Sequence, residues 1–298
     1  MPNVRPLRAP ARLALAAALA LAACRPPRTP PPDLSLDAAA LRDQVLRSQA
    51  RLRSVSGTAR VGVDAPGGSG TVSQFVAAER PDRVHLEVLD FFGNVTVVLV
   101  AGEGRFALYD AREKVLYRGA ATPENLARLL PVPIPAEDLV AILLGTAPLV
   151  DGTPTAAVPG AGFVTLELAR GALTQALRVG SDAVVERSSR RVAGGPGPGT
   201  YDLRFEIFQQ RAGVWFPRQV ALRADSPKVK LDLAWKDAEV NGEIDPKLFR
   251  LEPPRGARVV DLGGDEVLPG TPPNPFLPPA GADPAGSAPA GGGPPGRE

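Results

Sequence analysis

Few side chains in this chain can do chemistry, and their types narrow what that chemistry is. The 298 residues hold one cysteine, Cys24, and one histidine, His85. A Ser/His/Asp relay would have to run through His85, and zinc sites of the usual kinds need more histidine or cysteine than is present. His85 shares alternate positions of an apolar-polar run with Arg83 and Glu87, which predicts a solvated ring rather than a base or ligand. Aspartates and glutamates are scattered, with no spacing that pairs two on one element. The Gly102-Glu103-Gly104 stretch reads as a hairpin turn, and no glycine run has the phosphate-loop pattern ending in Gly-Lys. The expectation is a non-enzymatic chain without metal or dissociable cofactor. Cys24 remains, as a nucleophile for covalent modification.

The surroundings of Cys24 say what that modification is. Arg5, Arg8 and Arg12 precede an apolar run from Leu13 to Ala23, the build of a secretory signal. The run is about half the ~20 residues that a spanning helix needs. Leu21-Ala22-Ala23-Cys24 resembles a bacterial lipobox, which implies cleavage before Cys24, diacylglycerol on its sulfur and a third acyl chain on the freed amine. Three chains anchor firmly where one does not. Residue 25 is Arg rather than the Asp that retains lipoproteins in the inner membrane of enteric bacteria, so the same resemblance implies the outer membrane, periplasmic face. Cleavage would remove three arginines and take the formal charge from +2 to −1. A near-neutral chain lacks the clustered cations that nucleic acid requires. With its one cysteine committed, the mature chain has no internal disulfide and must draw stability from its core.

Composition divides the remainder into a proline-rich linker (24–34), one domain (35–262) and a Pro/Gly/Ala-rich tail (263–298) expected to be disordered. Residues 35–53 predict a helix, capped by Asp33 or Ser35, with Leu36, Leu41, Val45, Leu46 and Leu52 at helical spacing. From Val55 the period changes to two. Strands are expected at 55–63, 71–79, 83–89, 95–101, 105–110 and 114–118, then at 163–169, 173–179, 183–187, 201–209, 218–223 and 228–240. Connections this short demand antiparallel pairing. Between the two runs, Thr122-Pro123-Glu124 starts a helix with a capping hydroxyl, and a second helix, 136–144, stops at Gly145. The predicted fold is mainly β: a single curved antiparallel sheet of about 11 strands, a half-open barrel with helices over its concave face. Leu126, Leu129, Leu130, Leu139, Ile142 and Leu143 are the residues expected to line an apolar cavity there.

The order of these segments resembles LolB of the LolA/LolB lipoprotein-localisation superfamily. Arg51–Ala59 is similar to its first helix-to-strand passage, and Arg83–Val88 with Asp90-Phe91-Phe92-Gly93 to its strand and exposed loop. Pro133-Ile134-Pro135 with Leu139 and Gly145 is similar to its mid-chain helical pair. Phe205–Gln210, Trp215-Phe216-Pro217 and Lys228–Trp235 are similar to its closing strands, and Phe249–Gly256 resembles the C-terminal part of the related carrier. The resemblance implies a monomer that shelters acyl chains and receives lipoproteins from a periplasmic LolA-like carrier. It also implies a membrane-insertion loop with Phe92 at the apolar position before the glycine and Phe91 beside it. Arg60 and Arg118 match no motif, and no role is assigned to them. Two other readings stay open on sequence: a scaffold lipoprotein whose cavity is filled by its own side chains, and a hydrolase acting through His85.

Overall fold

The computed structural model describes residues 29–262 except 67, 123, 124, 127–131, 133 and 198. Cys24, Leu129, Leu130 and the 263–298 tail lie outside the described residues. Helix α1 (Ala38–Ala50) leads into a first antiparallel meander: β1 (Ser54–Ala65), β2 (Gly68–Glu79), β3 (Arg83–Leu89), β4 (Val95–Gly102), β5 (Arg105–Asp110) and β6 (Val115–Ala120). A helical segment containing α2 (Ala136–Leu143) follows. The second meander is β7 (Thr153–Gly160), β8 (Phe163–Arg170), β9 (Leu173–Gly180), β10 (Val184–Val192), β11 (Asp202–Arg211), β12 (Val214–Asp225) and β13 (Lys228–Trp235). β13 returns to pair with β1, Val61 opposite Leu233, so both meanders form one sheet. Short β14 (Glu239–Val240) pairs with the start of β1, and β15 (Arg258–Leu262) adds to β6.

The sheet therefore has 15 strands among the described residues rather than about 11, and it is not wholly antiparallel, because β15 runs parallel to β6. Two of the extra strands were hidden by composition. Pro154 and Pro159 sit within β7, which is tolerated because β7 is an edge strand with one unpaired side. β15 is five residues long, and Asp261 interrupts its apolar pattern. Asp261 pairs with Arg118 of β6 (Nε to Oδ1, 2.5 Å), which raises the guanidinium pKa and lowers that of the carboxyl. The pair gives Arg118 a structural place and puts charge on an edge that is otherwise open to further strands.

Alternation decides which face is buried. Val55, Ala59, Val61 and Val63 of β1 point inward with Val76 of β2, Leu86 of β3, Leu99 of β4, Leu166 of β8 and Leu222 of β12, in one continuous core. Both helices lie on this face, α1 against β7, β8 and β10 and α2 against β2 and β3. The α1 stripe is narrower than its sequence suggests. Only Leu41 and Val45 of the helix are buried, Leu36 and Leu46 are exposed, and the N-cap is Asp37, whose carboxylate accepts from Ala40 N. The Thr122 hydroxyl does accept from Asn125 N, as a cap should. Helix α2 ends at Gly145, whose φ of +72° suits glycine and where a Cβ would collide with the Pro217 ring.

Helix α2 and its exit are fastened by polar groups as well as by packing. Arg190 of β10 donates through Nη1 to Asp138 of α2 (2.9 Å) and through Nη2 to the Pro148 carbonyl (2.8 Å), with its guanidinium 4.9 Å from the Tyr201 ring centre. Burial pushes the Tyr201 hydroxyl pKa upward. Gln175 accepts from Val150 N and donates to the Pro148 carbonyl. Arg80, between β2 and β3, donates to Thr146 Oγ1 (2.9 Å). Asp138→Ala leaves Arg190 without its counter-charge in an apolar setting. The expected loss is ~3 kcal/mol, read as a lower urea midpoint with an unchanged slope.

The phenylalanine loop as candidate functional site

The β3–β4 connection is built to hold two apolar rings in water. Asp90 makes it rigid: Oδ1 accepts from Phe92 N (2.9 Å) and Asn94 N (2.8 Å), and Oδ2 accepts from Asn94 Nδ2 (3.0 Å). Asp90 N donates to the Asn94 carbonyl, Gly93 N donates to the Asp90 carbonyl, and Gly93 takes φ +84°, a left-handed value that suits glycine. These bonds, the Asn94 side chain first, hold the Asp90 carboxyl below its usual pKa. With the backbone so fixed, Phe91 is 97 % exposed and Phe92 85 % exposed, their rings edge to face at 5.6 Å. Val95, just past the turn, is exposed as well. Burying one such ring is worth ~1.5–3 kcal/mol, so the fold forgoes that stabilisation twice at one turn. Single exposed apolar residues are ordinary; an adjacent pair on a braced apex makes this turn the candidate contact site.

The other sequence-predicted residues lie elsewhere. Leu126, Leu139, Ile142 and Leu143 are buried side by side with strand residues in the core and do not meet the phenylalanine loop at a surface. Clefts bounded by described residues have charged walls. One of about 30 Å³ beside α1 includes Arg51 and Asp182, and one of about 280 Å³ on the outer face includes Arg187, Asp202, Arg204 and Arg223.

His85 departs from expectation. It is only 5 % exposed, because the turn Pro246–Phe249 crosses the outer face of β3 and covers it. Its Nδ1 donates to the Leu248 carbonyl (2.6 Å), its Nε2 lies 2.9 Å from Glu87 Oε1, and Phe75 meets it edge-on. Both ring nitrogens are thus engaged by protein groups. The alternation placed His85 correctly on the outer face; what it could not contain was a segment some 160 residues later that seals that face.

Sequence reasoning missed the Asp90 brace and the Arg190–Asp138 tie. An aspartate followed three and four residues on by Gly-Asn is a local turn signal and was available; the Arg190 contact, 52 residues apart, was not.

The fold resembles that of solved structures, one of them a LolA superfamily protein. No protein-family model matches the chain, and no curated protein matches its sequence. Solved structures do share its architecture. A domain assigned to an outer membrane lipoprotein-sorting protein of Vibrio parahaemolyticus superposes with a TM-score of 0.51 at 12 % identity, over 72 % of this chain and 97 % of that one. A LolA superfamily protein from Nitrosomonas europaea gives 0.50 at 11 % identity, over 71 % and 97 %. A DUF1329 family protein from Desulfovibrio piger gives 0.51 at 11 % identity, over 72 % and 98 %.

The brace carries a pH dependence. A carboxyl whose folded pKa is depressed contributes order that is present above the unfolded value, ~3.9, and is lost as pH falls through the folded one. Protection factors for amide exchange at Phe92 and Asn94, taken against the intrinsic rate at each pH, are expected to be high at neutral pH, to fall on strong acidification, and to be small at every pH in Asp90→Ala.

Proposed function

We propose that this chain is a lipid-anchored, envelope-facing protein, not an enzyme, that binds acyl chains and helps deliver lipoproteins to the outer membrane, with Cys24 as the lipidated residue. The observation that carries the reading is the Phe91–Phe92 pair held in water by the Asp90 brace, on a fold shared with a lipoprotein-sorting domain. The pair dips into lipid while the apolar side of the sheet receives the acyl chain. A LolA-like periplasmic carrier is the natural donor, and no reaction or cofactor is involved. Binding is hydrophobic and indifferent to cargo sequence. Direction comes from the acceptor bilayer, which holds acyl chains better than the protein does.

The packing of Leu126, Leu139, Ile142 and Leu143 sets a condition on this mechanism. Buried neighbours of this kind have to make room for a fatty chain, so in this reading the chain is loaded where the α2 segment packs on β2 and β3. The same packing favours a second reading, in which the fold is a tethered scaffold with its interior permanently filled. The chain from residue 25 onward keeps every described strand and separates the two. It is expected to take up a fluorescent acyl probe and release it to vesicles, with Phe91→Ser/Phe92→Ser slowing release about tenfold, the worth of partial burial of the rings. A folded sample that takes up no probe leaves only the scaffold.

A further inference from the structure

We propose that the loop is selective for anionic phospholipid, through cations on the neighbouring hairpin tip; the inference rests on the reading that Phe91 and Phe92 enter a bilayer. In an antiparallel meander alternate connections emerge at the same end, so the β5–β6 tip stands beside the β3–β4 tip. The two are joined directly: Ala111 N donates to the carbonyl of Thr96, the second residue of β4 (3.0 Å). That tip, Ala111-Arg112-Glu113-Lys114, is shaped by Asp110, whose Oδ1 accepts from Arg112 N and Glu113 N. Asp110 is buried by this role, while Asp90, partly exposed at the apex, spends its carboxylate oxygens on its own loop. Arg112 and Lys114 are exposed, and neither side chain has an ion pair among the described residues.

A third strand brings more charge to the same place. Arg258 N donates to the Lys114 carbonyl (2.9 Å), and Arg255 lies in the turn just before it. Four exposed cations, Arg112, Lys114, Arg255 and Arg258, therefore gather at one end of the sheet, with Glu113 as the exposed acid between two of them. Unpaired cations level with an apolar apex match a surface that is greasy inside and negative at its face. The rings form a projecting tip and not a groove, which suits a deformable planar bilayer better than a protein partner. A cation near an anionic leaflet is worth about fivefold in affinity, and salt weakens it.

The test uses the chain from residue 25 onward, sedimented with vesicles of phosphatidylcholine alone or with phosphatidylglycerol as roughly one lipid in three. Wild type is expected to bind the mixed vesicles more tightly, and added salt to erase the difference. Arg112→Ala/Lys114→Ala should lose about twenty-five-fold on mixed vesicles and nothing on phosphatidylcholine. Phe91→Ser/Phe92→Ser should weaken binding to both. Arg112→Lys, which keeps the charge, should behave as wild type and so separates charge from damage to the tip. Equal wild-type binding to both vesicle types, or an unaffected double-alanine variant, overturns charge selection while leaving the phenylalanine reading in place. Wild type that binds neither vesicle overturns both.

Discussion

Everything in this molecule depends on β13 returning to β1. Each meander alone has one apolar face and two open edges, and neither has enough opposing surface to cover what it exposes. Once Val61 lies between Leu233 on one side and Val72 on the other, the two apolar faces become a single one. The helices then have a defined place to pack. This pairing joins residues more than 160 positions apart, so it is costly in loop-closure entropy. Its return is collective, since all strands on both sides share the resulting core.

The helical segment is the part of that core held in two different ways. It is held by apolar packing over β2 and β3, which is indifferent to small displacements, and by the Arg190, Gln175 and Arg80 contacts, which are directional. A hydrocarbon ligand competes with the first kind of interaction on equal chemical terms. It cannot replace the second. The polar ties therefore fix the segment's exit, from Thr146 to Val150, independently of its apolar packing.

The sequence made the strands legible wherever burial alternates cleanly. Val84, Leu86 and Val88 show this, and so do Val164, Leu166 and Leu168. It failed where an edge or a distant cover changes the rules. Proline is excluded from central strands and admitted at edges, so β7 could not be read without knowing that it lies at the end of the sheet. His85 looked solvated because its own strand leaves it outside, and only the Pro246–Phe249 turn buries it. In α1 the period was right, but contact with just a few strands needs less apolar surface than Leu36 and Leu46 offered. The Phe91–Phe92 site was visible because it is local: two aromatic residues between Asp and Gly-Asn violate turn chemistry, and nothing remote is needed to notice it.

The place where the chain enters the sheet adds a constraint on posture. Gly162 N donates to the Thr29 carbonyl, which seats the start of the described chain at the β7–β8 turn. Hairpin alternation puts that turn at the end opposite Phe91 and Phe92. Strands of seven or more residues separate the ends by more than ~20 Å, whereas the five residues from Cys24 to Thr29 stretch to ~18 Å at most. If Cys24 carries lipid as proposed, a molecule standing upright points its aromatic tip away from the leaflet that holds it. Such a molecule either lies along its own membrane or reaches across the aqueous gap toward another, and the length of that short leash selects between the two postures.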